Sequence, residues 1–388
     1  MLVRAATALA ILSLAAPLRA EPPRPLPEEA ARALAGAAAR GPVALVESKP
    51  DGTMRQVTLA IFVRAPAAAV RALVADVGGY VRFVPNLKQA DFRREADGRW
   101  VNTWRLELPI ATFGGRDAYE IDPAALGPIR FRSLQTLASY EWAFLPVAGG
   151  TLLVQAGYTD VLHANRFVRA FVRRQPALEH GLALAAQYML VSAVRDEAER
   201  RAGRVEEAPP APRPGALEAL AERGQVVVMH LGADARLAEV SAIERVFASE
   251  ARVRDVIADP AAYKEFIAGV ERSTVLERDG VEATYFMEMG LPILTWSTTY
   301  RMRLNPHAVD GAGVEGDLRG ARYRWDLAAR GERETLVTYR AYQPLARGSV
   351  IVRKLFAVDP SLEAGLNVAF ALLQLRSVRG RAEGWATK

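Results

Sequence analysis

Residues Val70–Pro85 read VRALVADVGGYVRFVP, and residues Val253–Ala268, which lie 183 positions later, read VRDVIADPAAYKEFIA. The same shift aligns rarer residue types outside this stretch: Gly41 with Gly224, Leu108-Pro109-Ile110 with Leu291-Pro292-Ile293, Tyr140 with Tyr323, and Trp142 with Trp325. After one inserted residue, a shift of 184 aligns Pro176, Leu178, Glu179, Gly181 and Leu182 with Pro360, Leu362, Glu363, Gly365 and Leu366. The chain is therefore an internal duplication, and each copy is too long to be a solenoid repeat.

Length and composition agree with two globular domains. The chain has 388 residues, which allows each copy to bury a core of its own. The hydrophobic fraction of 51% and the charged fraction of 24% exclude global disorder. Lys and Arg number 50 against 44 Asp and Glu, and this mild basic excess shows no like-charge block that would indicate nucleic-acid binding.

The first twenty residues have the pattern of a signal peptide. Arg4 gives a positive start, Ala5–Ala16 is apolar, and Leu18-Arg19-Ala20 ends in a small residue, as a cleavage site does. The apolar run is too short to span a bilayer. The chain also contains no cysteine, so it has neither a disulfide framework nor a thiolate metal site. We expect a periplasmic or secreted protein.

Composition shifts divide the rest of the chain. The predicted divisions are a signal peptide (1–20), a leader with a short helix (21–40), domain 1 (41–202), a linker (203–215) and domain 2 (216–388). The linker reads GRVEEAPPAPRPG, and its prolines favour an extended chain.

The order of elements predicts the fold class. Alternation over Val57–Val63 predicts a strand, and two short helices are expected within 66–84. Six strand candidates separated by turn residues follow within 88–161, and Pro176 then opens a long, almost wholly apolar helix that ends near Arg201. Consecutive strands form a meander, and such a helix must be covered, so the sequence predicts an α+β fold with the helix across the concave face of a curved antiparallel sheet.

The repeated stretch resembles the opening of START-like domains, also called SRPBCC or polyketide-cyclase/coenzyme-Q-binding domains. The residues that carry the resemblance are Ala65-Pro66, Asp76, Tyr80, Phe83 and Pro85. With the element order, it covers roughly 41–202 and 224–386. Domain 2 departs from the pattern, because Ser249-Glu250 and Ala268-Gly269 replace the prolines and their neighbours.

The resemblance implies two tandem helix-grip domains, each with a deep apolar cavity between sheet and long helix. Relatives bind lipids, sterols, quinones or polyketides, and some cyclise polyketides. A fold alone does not choose among these functions.

Two sets of candidate site residues follow. Apolar and aromatic residues that share a strand face, or that lie on the first short helix pair and the long helix, are expected to line the ligand cavities; the alternative is that they fill a core. The ligand-binding candidates are Phe83, Trp104, Leu106, Tyr140, Trp142, Leu182, Phe266, Met287, Met289, Tyr323, Trp325 and Leu366.

An apolar and basic segment before each long helix suggests contact with an anionic membrane surface. The alternative is an amphipathic helix packed on the sheet with solvated arginines. The membrane-contact candidates are Phe167, Arg169, Phe171, Arg173, Arg353 and Phe356.

No pattern of catalytic or metal-binding residues is present. None of His163, His180, His230 and His307 has a histidine at the matching position of the other copy, and no HExxH, P-loop or G-x-S-x-G motif occurs. We therefore predict no metal, no cofactor and no assigned catalytic residue.

The leading hypothesis is a periplasmic protein that binds or transfers a hydrophobic ligand. The first alternative is a polyketide aromatase/cyclase-like enzyme, for which Arg116, Glu141 and Tyr158 are the available acid–base candidates. The second is a structural or partner-binding protein with fully packed domains. Ligand retention and turnover distinguish the three.

Overall fold

The computed structural model describes residues 21–50, 52–108, 111–161, 169, 177–203, 207–232, 236–291, 294–358 and 361–385. The predicted signal peptide lies outside these residues. The strands of the first half are β1 (Val43–Ser48), β2 (Met54–Val63), β3 (Leu87–Arg94), β4 (Trp100–Leu108), β5 (Ala111–Ile121), β6 (Ile129–Ser133), β7 (Ser139–Val147) and β8 (Gly150–Tyr158). Its helices are α1 (Glu28–Ala33), α2 (Ala35–Ala38), α3 (Ala67–Ala75), a 3₁₀ helix (Val77–Arg82) and α4 (Ala177–Ala202).

The second half repeats this order. Its strands are β9 (Gln225–Leu231), β10 (Leu237–Val246), β11 (Val270–Asp279), β12 (Glu282–Leu291), β13 (Leu294–Asn305), β14 (Ala308–Gly316), β15 (Arg322–Gly331) and β16 (Glu334–Tyr342). Its helices are α5 (Ala216–Leu220), α6 (Glu250–Ile257), a 3₁₀ helix (Pro260–Ala262), α7 (Tyr263–Phe266), α8 (Val350–Val358) and α9 (Ser361–Glu383).

Strand neighbours follow the predicted meander. In domain 1, β3 to β8 pair in sequence order, β2 pairs with β8, and β1 pairs with β2. In domain 2, β11 to β16, β10 and β9 have the same relation. The long helices α4 and α9 pack on this sheet, mainly against β2 and β10 respectively. The expected α+β class with tandem helix-grip domains is confirmed.

The first strand of each domain was missed, and with it the junction of the two sheets. Strand β1 pairs antiparallel with β9, so the described strands form one sheet of sixteen. Gly41 and Gly224, which the repeat aligns, lie at the two ends of this junction. A Cβ on Gly41 would collide with the carbonyl oxygen of Met229, and one on Gly224 with that of Val46. Both glycines are therefore needed for the close approach of the domains.

The long helices also meet across the domain boundary. A Cβ on Gly181 of α4 would collide with Ala369 of α9, and one on Gly365 of α9 would collide with Ala185 of α4. In each helix the glycine and the alanine are four residues apart and so share a face. The helices therefore run antiparallel and touch through small residues, with the same approximate two-fold relation as the strands.

Local sequence explains how equivalent helices begin in the two domains. Pro66 directly precedes α3 in domain 1. At the matching place before α6, the hydroxyl of Ser249 accepts a hydrogen bond from the backbone N–H of Arg252 (3.3 Å). Serine stabilises the start of a helix by capping a backbone N–H, and proline is favourable at a helix start as well. The departure of domain 2 from the repeated pattern leaves the helix in place.

The N-terminal leader packs on the face of the sheet opposite the long helices. Leu26, Leu34 and Ala38 are buried there with residues of β1, β2 and β9. The main chain of Arg24 exchanges two hydrogen bonds with the side chain of Gln56 (2.9 and 2.8 Å). Among the described helices, none is long and apolar enough to cross a membrane.

We predict that Gly181→Ala and Gly365→Ala each lower the free energy of unfolding by about 1–3 kcal/mol, because the added methyl group forces the helices apart. Chemical denaturation measures this change. Gly331→Ala is the control, since no neighbour lies near its Cβ position, and it should stay within about 0.5 kcal/mol of the wild type. Stabilised Gly181 and Gly365 variants, as expected from helix propensity alone, would contradict the close helix contact.

Candidate functional site

The concave face of domain 1 has a polar centre. Asn102 on β4 lies directly opposite Asp117 on β5, and both side chains are buried. The indole N–H of Trp104, two residues along β4, donates to Oδ2 of Asp117 (2.7 Å). Burial raises the pKa of Asp117 to about 6, although hydrogen bonds from Trp104 and Ser133 oppose the rise. A carboxyl group at the centre of an inward sheet face is unusual for a core and typical of a site.

Aromatic rings surround this centre. Trp100, Tyr119, Phe131 and Tyr140 occupy one row of directly opposed positions across β4, β5, β6 and β7. Tyr119 stacks on Phe131 (centroids 5.1 Å apart), and Phe131 packs on Tyr140 (4.7 Å). The phenol of Tyr140 is hydrogen-bonded to the hydroxyl of Thr159. The face therefore offers broad apolar surface with polar atoms at fixed places, as ligand pockets do.

The concave face of domain 2 is filled instead. The positions that match Asn102 and Asp117 are Tyr285 and Tyr300, which are opposed in the same way and stack at 5.4 Å. The phenol oxygens of Tyr285 and Tyr323 are 3.1 Å apart, and Trp325 packs on Tyr339 at 4.1 Å. All five side chains are buried, so they form a packed aromatic core.

The described residues of domain 2 enclose a small void. It measures about 20 Å³ and is lined by Met287, Met289 and Trp296, among others. This volume accommodates about one water molecule. The exposed fraction of Met287 is 8% and that of Met289 is 4%, whereas the matching Trp104 and Leu106 of domain 1 are only half-buried. Domain 1 is therefore more exposed than domain 2 at these two positions of its concave face.

Comparison with known proteins adds the following. No family model and no curated protein matches the chain. Solved structures that match include the di-domain ARO/CYC BexL from the BE-7585A biosynthetic pathway (18% identity, 86% of this chain and 100% of that chain, TM-score 0.31). A STAR-related lipid transfer protein fragment from Xanthomonas axonopodis also matches (18% identity, 41% of this chain and 93% of that chain, TM-score 0.33).

The strand order and helix positions of this chain define its fold. Each half consists of two strands, short helices, a six-stranded meander and a long helix on the concave face. Each half therefore has the topology of a helix-grip fold. The chain carries two copies of this fold in tandem, as the sequence resemblance implies.

A groove lies between the two domains. It has a volume of about 430 Å³, runs along α4, and is also lined by the turn before β3, the β9–β10 hairpin and the start of α9. Phe83, Tyr188, Met189 and Leu237 give it apolar walls, and several charged side chains line its rim. The predicted ligand residue Phe83 therefore lies in this groove.

The approximate two-fold axis relates this groove to an equivalent position beside α9, which the side chain of Arg376 fills. Arg376 on α9 donates a hydrogen bond to the carbonyl of Gly52 (2.6 Å) across the β1–β2 hairpin. The matching residue on α4 is Ser192, which lines the open groove. His180 is buried beside this arginine, and its pKa is lowered to about 4 by burial and by the charge of Arg376. It is a neutral core histidine at pH 7.

The structure distributes the predicted ligand residues over several parts of the molecule. Trp104, Leu106, Tyr140 and Trp142 belong to the concave face of domain 1, although Trp142 is buried at 1% exposure. Met287 and Met289 line the small void, and Tyr323 and Trp325 lie in the packed aromatic core. Phe266 is buried in the core, and Leu182 and Leu366 pack against it half-buried.

The membrane-contact candidates are only partly described. Phe167, Phe171 and Arg173 lie outside the described residues, and Arg169 is half-buried. On α8, Arg353 and its neighbour Lys354 are exposed. Phe356 is 4% exposed and packs in the core, so its side chain does not reach a surface in this structure.

The acid–base candidates do not converge. Arg116 forms an ion pair with Glu95, and Glu141 forms one with Arg130. The strand neighbours of Arg116 and Glu141 face inward, so these two side chains point away from the concave face. Tyr158 donates to Glu179 of α4 (3.4 Å) at the end of β8. Among the described residues, no group of three His, Asp or Glu side chains could hold a metal ion.

The polar residues Asn102, Asp117, Gln155 and Gln187 were missed. They lie on otherwise apolar strand and helix faces. Because they are polar and differ between the copies, matching the shared apolar positions does not identify them. The signal lay in the mismatches of the repeat, since these positions carry Tyr285, Tyr300, Tyr339 and Ala371 in domain 2.

The raised pKa of Asp117 predicts a pH effect on stability. The folded-state value of about 6 lies above the unfolded value of about 3.9, so the stability linked to this group is complete below about pH 4 and is lost as the pH rises through about 6. Between pH 4 and pH 8, the free energy of unfolding of the wild type should fall by about 2–3 kcal/mol more than that of Asp117→Asn. Urea denaturation at several pH values measures the difference. Parallel profiles for the two proteins would contradict the burial of an ionisable carboxyl group here.

Proposed function

We propose that the protein binds a hydrophobic ligand on the concave face of domain 1. The observation that carries the proposal is the contrast between matched positions. Where domain 2 has stacked Tyr285 and Tyr300, domain 1 has Asn102 and Asp117 under half-buried Trp104. Domain 2 shows that this fold can fill its concave face with buried rings, so a polar face in domain 1 supports a function other than stability.

Domain 2 has a different role in this proposal. Its concave face is closed by the tyrosine core, and it supports domain 1 through the β1–β9 junction and the α4–α9 contact. The sequence predicts a ligand in each domain, whereas we propose that domain 1 alone binds one. We further propose that the N-terminal twenty residues direct export and that the protein acts in the periplasm as a carrier.

One observation favours the enzyme alternative. Asp117 has a pKa near 6, and a carboxyl group of this kind can act as an acid or a base. Arg116 and Glu141, however, point away from the concave face. Neither of these two acid–base candidates can therefore act together with Asp117. Binding without turnover is the better supported function, and incubation with a linear poly-β-ketone substrate separates the two.

Native mass spectrometry of the protein purified gently from cells tests the binding proposal. We expect a bound mass that solvent extraction releases as a lipid, sterol, quinone or similar molecule. Asn102→Tyr combined with Asp117→Tyr copies the closed face of domain 2 and should abolish the bound mass. A ligand-free wild type from several preparations would contradict the proposal.

Ser192→Arg is the matched control for the location of the ligand. It copies Arg376 and should fill the groove between the domains, while the concave face of domain 1 stays unchanged. We expect this variant to retain the ligand. Loss of ligand in Ser192→Arg, with retention in the double tyrosine variant, would place the ligand in the groove instead. Circular dichroism checks that both variants fold.

We also propose that helix α8 contacts anionic membranes through Arg353 and Lys354, next to exposed Val350. Each basic residue near such a surface contributes about 1 kcal/mol, so Arg353→Glu with Lys354→Glu should weaken binding to anionic vesicles by at least about 30-fold. Vesicle sedimentation measures this. Arg213→Glu with Arg301→Glu, at exposed sites elsewhere, should have a smaller effect. If both double variants lost vesicle binding equally, the net charge of the protein would explain the binding, and the specific contact through α8 would be wrong.

A further inference from the structure

Three amide side chains on the concave side of domain 1 each have an oxygen without a hydrogen bond. They belong to Asn102 on β4, Gln155 on β8 and Gln187 on α4. The exposed fractions of these residues are 3%, 1% and 2%. A buried amide oxygen without a donor destabilises the folded protein, because it has lost its hydration and gained nothing in exchange. Three such oxygens in one domain therefore require an explanation.

The three amides lie on the concave side of the sheet and on the helix that packs against it. Asn102 lies opposite Asp117, and Gln155 lies opposite Trp142. The amide nitrogen of Gln187 donates to the carbonyl of Gly157 (3.3 Å), two residues from Gln155 on β8. This bond fixes the orientation of the Gln187 amide, so its free atom is the oxygen. The row of rings from Tyr140 to Tyr119 links the Gln155–Gln187 end to the Asn102–Asp117 end.

The fold itself does not need these amides. At the matching positions domain 2 has Tyr285, Tyr339 and Ala371. Tyr285 and Tyr339 belong to the packed aromatic core, and Ala371 lines its small void. The same strands and the same long helix therefore form without a single one of the three amides.

We propose that Asn102, Gln155 and Gln187 recognise a polar group of the ligand that is rich in hydrogen-bond donors, such as hydroxyl or amide N–H groups on an apolar body. This inference rests on the proposed function and specifies the ligand class of the same site. Amide oxygens accept and do not donate, so they distinguish a ligand with donors from one that has only ester or ether oxygens. The carboxyl group at the centre, Asp117, makes the face unfavourable for an anionic head group.

Three palmitoyl compounds serve as probes in a fluorescence displacement assay. 1-Monopalmitoylglycerol carries two hydroxyl donors, methyl palmitate carries none, and palmitate is an anion. The wild type should bind monopalmitoylglycerol about 10- to 100-fold more tightly than methyl palmitate, because an analogue without donors leaves buried acceptors unpaired. Palmitate should bind no better than methyl palmitate.

Near-isosteric variants test the assignment. Asn102→Leu, Gln155→Met and Gln187→Met should each reduce the preference for monopalmitoylglycerol over methyl palmitate at least about threefold, because each removes one acceptor for its hydroxyl groups. Ligand-free Gln155→Met should melt at or above the wild-type temperature, since it removes an unpaired buried oxygen. Gln135→Met changes an exposed amide and should keep the full preference.

The outcomes separate the two proposals. If no probe binds and no ligand is found by native mass spectrometry, the carrier function is wrong. If all three probes bind equally well, domain 1 remains a carrier site and the inferred head-group recognition is wrong. A preference that survives all three amide variants would also overturn the inference, because the donors would then be recognised elsewhere.

Discussion

The arrangement of this protein depends on close backbone contact between its two halves. Gly41 and Gly224 admit the opposing carbonyls where β1 meets β9, and Gly181 and Gly365 admit the opposing helix where α4 meets α9. Side chains at these points would separate the domains, since dense packing leaves no room for an extra methyl group. Both contacts obey one approximate two-fold relation. The result is one sheet and one core cluster that includes Trp142 of domain 1 and Trp296 of domain 2.

The duplication made the fold predictable and hid the junction. Two independent copies of the same strand and helix pattern fixed the meander and the long helix, because a register error would have had to occur twice. The first strands, β1 and β9, escaped prediction. Val43–Ser48 is a short run directly after an alanine-rich helix, and its burial on both faces removes the alternation that marks a strand. The repeated glycines Gly41 and Gly224 were visible, but a helix end explains a glycine as readily as a close contact does.

The site was less accessible to sequence reasoning than the fold. Apolar periodicity identifies the inward face, so Trp104, Leu106 and Tyr140 were found on it. It cannot distinguish a filled face from an open one, because Trp325 and Tyr323 have the same spacing and lie in the packed core of domain 2. That distinction depends on positions at which the copies differ. Domain 1 has Asn102, Asp117 and Ser192 where domain 2 has Tyr285, Tyr300 and Arg376. These are differences between the copies, which an analysis of their shared residues does not weigh.

The shared core explains how domain 1 can keep a destabilising face. A buried carboxyl group with a raised pKa and three unpaired amide oxygens lower the stability of domain 1. In an isolated domain of this size, a few such groups would consume much of the net stability, which is only about 5–15 kcal/mol. Domain 2 contributes tightly packed tyrosines and tryptophans to the same core cluster, and its strands cover the β1 edge that domain 1 would otherwise expose. Closing one concave face thus offsets the cost of leaving the other polar. Domain 2 therefore stabilises domain 1 whether or not it binds a ligand itself.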